Sequence, residues 1–242
     1  MAHKTTVIAF DLYGTLLSTE SIAAELAGLF GDEAAKSVAA LWRRYQLEYT
    51  WRINSMGIYR SFSEITRGAL QHAVAETGLT LSANDVDRLM KAYDALHTFP
   101  EVPSALKTIE CSRSVKAYVF SNGTRDMVSE SVGTSPSLSP YASVFQGLVS
   151  VEGVQVFKPD KRAYDHLLKE VGKDGTPGDV WLVSANPFDA LGAASAGLRS
   201  AWVDRAGKGW VDRLGDIVGS VKPTLVACDV DKAVQEIIRS AR

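Results

Sequence analysis

Four short polar clusters hold most of the side chains able to do chemistry. Asp11-Leu12-Tyr13-Gly14-Thr15-Leu16 sets a carboxylate directly after an apolar run and before a glycine turn. A carboxylate held that way can act as a nucleophile, although an aspartate there can also merely cap the turn. Ser121-Asn122-Gly123 offers a hydroxyl, an amide and backbone N–H groups suited to an anionic substrate group, and alone it is a common turn. Phe157-Lys158-Pro159-Asp160 supplies a cation that can neutralise a substrate carboxylate or hold Asp11 ionised; most loop lysines are simply solvated. Ser184-Ala185-Asn186-Pro187-Phe188-Asp189 brings one more carboxylate with two neutral hydrogen-bonding side chains, and Asp189 could be a helix cap.

These clusters need elements that bring them together. Val7-Ile8-Ala9-Phe10 is short and apolar and reads as a buried strand ending at Asp11. Residues 19–97 carry helical periods and little strand signal. Leu41, Tyr45 and Tyr49 recur every four residues, with Arg43 and Gln46 on another face, and Val86, Met90 and Tyr93 mark a last helix. Phe99-Pro100 marks a boundary, because proline disfavours helix in the residue before it. Beyond it the types alternate. Val102, Leu106 and Ile109 mark a helix face. Strands are expected at 115–120, 147–151, 180–183 and 200–203, and helices at 160–171, 189–196 and 229–238. Gly197 stops the second of these helices. Residues 133–140 and 173–178 read as surface loops rich in Ser, Pro or Gly. The expected fold is α/β: a Rossmann-like, doubly wound parallel sheet formed by residues 1–18 and 98–242, with a helical cap inserted at 19–97. Ligands of such sheets bind at the carboxyl ends of the strands, and three of the expected strands end in the clusters above.

Composition narrows the functional classes. The 242-residue chain is 46% hydrophobic and 22% charged, as in ordinary globular proteins. A net charge of -2 gives no general attraction to nucleic acid or anionic membranes. No apolar run reaches membrane-spanning length, and the N-terminus lacks the pattern of a secretory leader. Cys111 and Cys228, far apart and without metal-ligand spacing, read as reduced thiols of a cytoplasmic protein.

Taken in this order, each cluster at a strand end, the four resemble the four motifs of the haloacid-dehalogenase superfamily. Trp42-Arg43-Arg44-Tyr45-Gln46-Leu47-Glu48-Tyr49 is similar to the Trp-Arg-x-x-Gln-Leu-Glu-Tyr signature of its type II, L-2-haloacid dehalogenase branch. The resemblance runs from Ile8 to about Arg205. It implies a hydrolase acting on the carbon–halogen bond of small 2-haloacids, with Asp11 as nucleophile and no cofactor or metal. It further implies that Arg43 receives the halide ion and that Asp189 activates water. Thr15 and Ser184 would hold Asp11 and Lys158 in place, while Asn186 and Tyr164 would serve the second half-reaction. Tyr13, Leu47, Phe62 and Phe188 would form an apolar wall, with Ser121 and Asn122 as donors to the substrate. A homodimer is implied as well.

The phosphohydrolases of the same superfamily need a second aspartate two residues after the nucleophile, as general acid, and a Mg²⁺ site. Tyr13 holds that position here, and a side chain with an ordinary pKa of about 10 is a poor acid. Mg²⁺ prefers several carboxylate or other oxygen ligands, whereas the fourth cluster supplies one carboxylate beside Ser184 and Asn186. A halide leaves as a stable anion and needs neither feature. A Mg²⁺-dependent phosphohydrolase and a non-catalytic relative remain the competing readings. Three departures from the branch pattern stand out: Phe188 where tryptophan is usual, the Arg44-Tyr45 pair beside Arg43, and a loop at 133–140 longer than usual.

Overall fold

A computed structural model describes residues 5–240. The first strand, β1 (Thr6–Phe10), is followed by four helices, α1 (Ile22–Phe30), α2 (Asp32–Ser55), α3 (Phe62–Glu76) and α4 (Ala83–Tyr93). Strands and helices then alternate: α5 (Val102–Glu110), β2 (Val115–Ser121), α6 (Arg125–Thr134), β3 (Phe145–Ser150), α7 (Lys161–Glu170), β4 (Val180–Ser184), α8 (Pro187–Ser195), β5 (Arg199–Val203), α9 (Leu214–Ile217), β6 (Leu225–Ala227) and α10 (Val230–Ser240).

The six strands form one parallel sheet in the order β3-β2-β1-β4-β5-β6. That is the doubly wound order, and the chain changes direction across the sheet beside β1. β1 sits between β2 and β4, so Val7, Ile8, Ala9 and Phe10 are at most 2% exposed. Burying side chains of this size contributes about 1.5–3 kcal/mol each, and the continuous apolar run follows from cover on both faces. α5 packs against α10, and α7 against α8.

The chain leaves and re-enters the sheet layer through two adjacent segments. Leu17 bridges Thr98, the Ser18 N–H donates to the His97 carbonyl (2.8 Å), and the Phe99 N–H donates to the Leu16 carbonyl (3.1 Å). Between these crossings α3 and α4 each begin with a reciprocal capping box, Ser61 with Glu64 and Ser82 with Asp85.

Several sequence expectations need correction. Residues 133–140 are not simply a loop: 133–134 end α6, and 139–140 open a 3-10 turn, Ser139–Val144. The helix was hidden because its buried face mixes Met127, Val128 and Val132 with Ser131, and its N-cap hydroxyl, Thr124, looks like loop chemistry. β6 is three residues long, too short to show a period. The third strand begins at Phe145 rather than 147, and α8 begins at Pro187 rather than Asp189. In α2 the buried residues are Ala35, Val38, Trp42, Tyr45, Gln46 and Thr50. Gln46 therefore belongs to the inner face, because hydrogen bonds satisfy its amide there. The expectation about a leader, and the outermost parts of the 1–18 and 98–242 segments, rest partly on residues 1–4 and 241–242, outside the described residues.

Candidate active site

Asp11 follows the last residue of β1, and its backbone N–H donates to the Val183 carbonyl of β4 (3.0 Å). The chain turns at Gly14 with φ of 87°, a conformation that favours glycine. The turn brings Thr15 back onto the aspartate. Thr15 Oγ1 donates to Asp11 Oδ2 (2.8 Å) and accepts from the Ala185 N–H (2.9 Å). Asn186 Nδ2 donates to the same carboxylate oxygen (2.7 Å), and Lys158 Nζ donates to Oδ1 (2.9 Å). Asp11 is thus fixed by one cation and two neutral donors, and it is only 6% exposed.

Lys158 is 1% exposed, which is tolerable only because its three donors are taken by Asp11 Oδ1, Asp189 Oδ2 (2.7 Å) and the Phe120 carbonyl (3.1 Å). Burial works against its charge, but the carboxylates of Asp11 and Asp189 outweigh that and hold its pKa above the ordinary lysine value. Of the two roles open to Lys158 in the sequence, the geometry gives it the one on Asp11. With every donor engaged, it is not free to meet a substrate carboxylate.

Asp189 is fully buried one turn into α8, so it is not that helix's cap; Asn186 stands at the cap position. Tyr164 of α7 donates to Asp189 Oδ1 (2.9 Å). Burial raises the Asp189 pKa and the Asp11 charge adds to this, opposed by Lys158. Burial, reinforced by Asp189, keeps the Tyr164 phenol well above its usual pKa, so it stays a neutral donor.

Ser184 sits differently from its expected role. Its Oγ accepts from the Asn186 N–H (3.1 Å) and so shapes the turn that aims Asn186, with no hydrogen bond to Asp11 or Lys158. Ser121 Oγ likewise accepts from the Gly123 N–H (3.0 Å), and Asn122 Oδ1 accepts from the Lys158 backbone N–H (2.9 Å). Tyr13 points its hydroxyl away from the carboxylate, to Ser131 Oγ (3.0 Å) and the Met127 carbonyl (3.4 Å). Burial drives its pKa upward, only partly countered by Ser131, so this phenol cannot serve as an acid near neutrality. Its ring stacks on the buried Phe62 (centroids 6.1 Å apart).

α2 reaches over these strand ends. Arg43, Leu47 and Trp51 are spaced four apart and share one helix face. Arg43 Nη2 donates to the Tyr13 carbonyl (2.9 Å) and to Asn186 Oδ1 (3.4 Å). Arg44 instead turns outward to Tyr45 and Glu76. Trp51 meets Phe188 edge-on, with centroids 5.3 Å apart, and half-buried Leu47 lies between these contacts along the helix. One turn further, Asn54 bonds both the N–H (3.0 Å) and the carbonyl (2.6 Å) of Phe157, next to Lys158. Trp51 and Asn54 were not singled out from the sequence, and Gln46 was named there without a role. Counting on from Arg43 by helical spacing would have found the first two.

A divalent cation does not fit this donor set. All four carboxylate oxygens of Asp11 and Asp189 already accept from N–H or O–H groups, and Asn186 turns its amide N–H₂, not its oxygen, toward Asp11.

The haloacid dehalogenase-like hydrolase model matches residues 5–197. The chain belongs to that family. It is 36% identical over 200 residues to (S)-2-haloacid dehalogenase of Pseudomonas sp. (strain YL), covering 83% of each chain. It is 31% identical to haloacetate dehalogenase H-2 of Moraxella sp. (strain B), covering 93% of this chain and 96% of that one. Its fold matches the L-2-haloacid dehalogenase of Xanthobacter autotrophicus with chloropropionic acid covalently bound, at a TM-score of 0.83 and 25% identity, over 97% and 98% of the two chains. The Rossmann-like core is shared with that structure.

Proposed function

We propose that this hydrolase releases halide from small (S)-2-haloacids and yields (R)-2-hydroxy acids through an ester on Asp11. The observation that carries the reading is the Asp11 carboxylate clamped by Lys158, Thr15 and Asn186, while Tyr13, at the position where an acid for a leaving oxygen would stand, turns its hydroxyl away to Ser131. Halide departure requires no such acid. Asp11 attacks C2 from the side opposite the halogen, and the C–O bond forms as the C–X bond breaks, inverting the centre. Arg43, on the cap side of Asp11, receives the anion. Asn122, whose oxygen is used on Lys158, turns its amide donors to the substrate carboxylate together with Ser121. Leu47, Phe62, Tyr13 and Phe188 keep water from the reacting carbon.

In the second half-reaction water attacks the Asp11 carbonyl carbon. Asp189 takes its proton, and the hydroxy acid leaves with an oxygen that began on Asp11. Asp189 is linked to Asp11 through Lys158 Nζ and is held by Tyr164. The names of the relatives, which act on (S)-2-haloacids or haloacetate, support the substrate class.

Residues 19–97 then form the cap and 1–18 with 98–242 the core, a division supported by the paired crossings at Leu17 and Thr98. Exposed, unpaired Cys111 and Cys228 support a reducing, cytoplasmic setting. No helix among the described residues is long and apolar enough to cross a membrane. The homodimer implied by the resemblance is checked by light scattering.

Halide release from the two enantiomers of 2-chloropropionate, assayed in EDTA, tests the function. Turnover of the S form alone is expected. Activity abolished by the chelator, or phosphate ester hydrolysis without halide release, would overturn the reading. A single turnover in ¹⁸O-labelled water should place the label in the Asp11 carboxylate rather than in the product.

A further inference from the structure

We infer that Gln46 is a positioning residue for Arg43, and that its neutrality preserves the positive charge that draws off the halide; this rests on the dehalogenase reading above. Arg43 makes three hydrogen bonds, and all three acceptors are neutral: Gln46 Oε1 (2.6 Å), the Tyr13 carbonyl and Asn186 Oδ1. Among the described residues no carboxylate lies within ion-pair distance of it, whereas neighbouring Arg44 pairs with Glu76. The guanidinium is fixed in place by neutral acceptors only.

Gln46 can fix it because it cannot itself turn. Its Oε1 accepts from Arg43 Nη1 and from the Tyr93 hydroxyl (3.0 Å), while its Nε2 donates to Thr66 Oγ1 (2.8 Å). Thr66 in turn donates to the Phe62 carbonyl (2.7 Å), and Trp42 Nε1 donates to the Thr66 carbonyl (2.8 Å). A guanidinium only donates, so rotating the amide by half a turn would set N–H against N–H. The amide is 0% exposed and every polar atom it has is used. It therefore ties Arg43 of α2 to α3 and α4, and through Tyr93 to the Tyr13 ring 5.3 Å away.

A glutamate has the same shape and would place a carboxylate on Nη1, turning a free cation into half of a buried ion pair. Gln46→Glu should therefore weaken inhibition by added bromide roughly ten-fold or more, the scale of a hydrogen bond to a charged group. It should slow formation of the Asp11 ester, followed by mass spectrometry in single turnovers, and leave ester hydrolysis within about twofold of the unmodified rate. A purely structural role would slow both halves together and leave bromide inhibition alone. Tyr93→Phe, which removes only one donor to the same oxygen, is the second variant should Gln46→Glu fail to fold. It should shift bromide inhibition in the same direction by a smaller factor. Unchanged bromide inhibition in a folded variant would overturn the role of Gln46. Absence of halide release by the unmodified protein would instead overturn the dehalogenase reading itself.

Discussion

Asp11 and Asp189 are both aspartates a few ångströms from one lysine, yet their surroundings divide the work. Asp11 keeps slight exposure and accepts from three side chains, one charged and two neutral. Asp189 is sealed in, with Lys158 on one oxygen and Tyr164 on the other, and a pKa raised by burial suits it to accept a proton. Asp189→Asn should leave ester formation on Asp11 largely intact and stall its hydrolysis, so the esterified protein accumulates in a mass spectrum after exposure to (S)-2-chloropropionate. If that variant shows no adduct and no turnover, Asp189 acts before the ester forms and the assignment fails.

At the scale of elements, α7 and α8 must lie close for Tyr164 to reach Asp189, and Gly192 of α8 allows it. A methyl group there would press on the Tyr164 hydroxyl and lie 2.7 Å from Pro159 Cβ. Gly192→Ala should destabilise the fold by roughly 1–3 kcal/mol, as over-packed sites do, and slow ester hydrolysis more than ester formation. Urea unfolding and single-turnover kinetics check the two halves of that expectation. A second element-level consequence concerns the end of α4. The Asp94 carboxyl is pushed up to about 6 by burial, with the charge of Glu130 adding to the effect. It also stands at a helix C-terminus, where negative charge is disfavoured. Its folded pKa lies above its unfolded value of 3.8, so between those values the fold binds a proton that the unfolded chain lacks. This group therefore favours folding below about pH 4 relative to neutral pH, and that advantage is lost as pH rises through about 6. Asp94→Asn should raise Tm at pH 8, with the gain vanishing near pH 4; an equal effect at both would contradict the shift.

Across the whole molecule, the site exists only where two layers meet. The sheet layer supplies Asp11 and Asn186 from just past strand ends, Lys158 from the connection between β3 and α7 and Asp189 from α8, and α2 lays Arg43, Leu47 and Trp51 across them. The Trp51–Phe188 contact closes one side of that seam, and Asn54 anchors its far end to Phe157. Trp51→Ala should open the seam. Its kcat/KM for 2-chlorobutyrate relative to 2-chloropropionate should rise about ten-fold or more, the value of one methylene in a pocket. An unchanged ratio would show that this aromatic contact does not limit substrate size.

The sequence by itself determined the alternation of strands and helices after Phe99 except α6, α9 and β6, together with the helical insertion after β1 and the strand-end location of Asp11, Ser121 and Ser184. Apolar runs bounded by polar turns report burial directly, and helical periods report an inner face. It also carried the absence of an acid at Tyr13. Tertiary structure alone decided what each polar group touches: that Lys158 bonds both aspartates and that Ser184 shapes a backbone turn. It alone revealed buried Gln46, since a polar side chain on a helix looks solvated until partners from other helices are known. Hydrophobic pattern is local along the chain, whereas hydrogen-bond partners as far apart as Asn186 and Asp11, 175 positions, are set only when the layers pack.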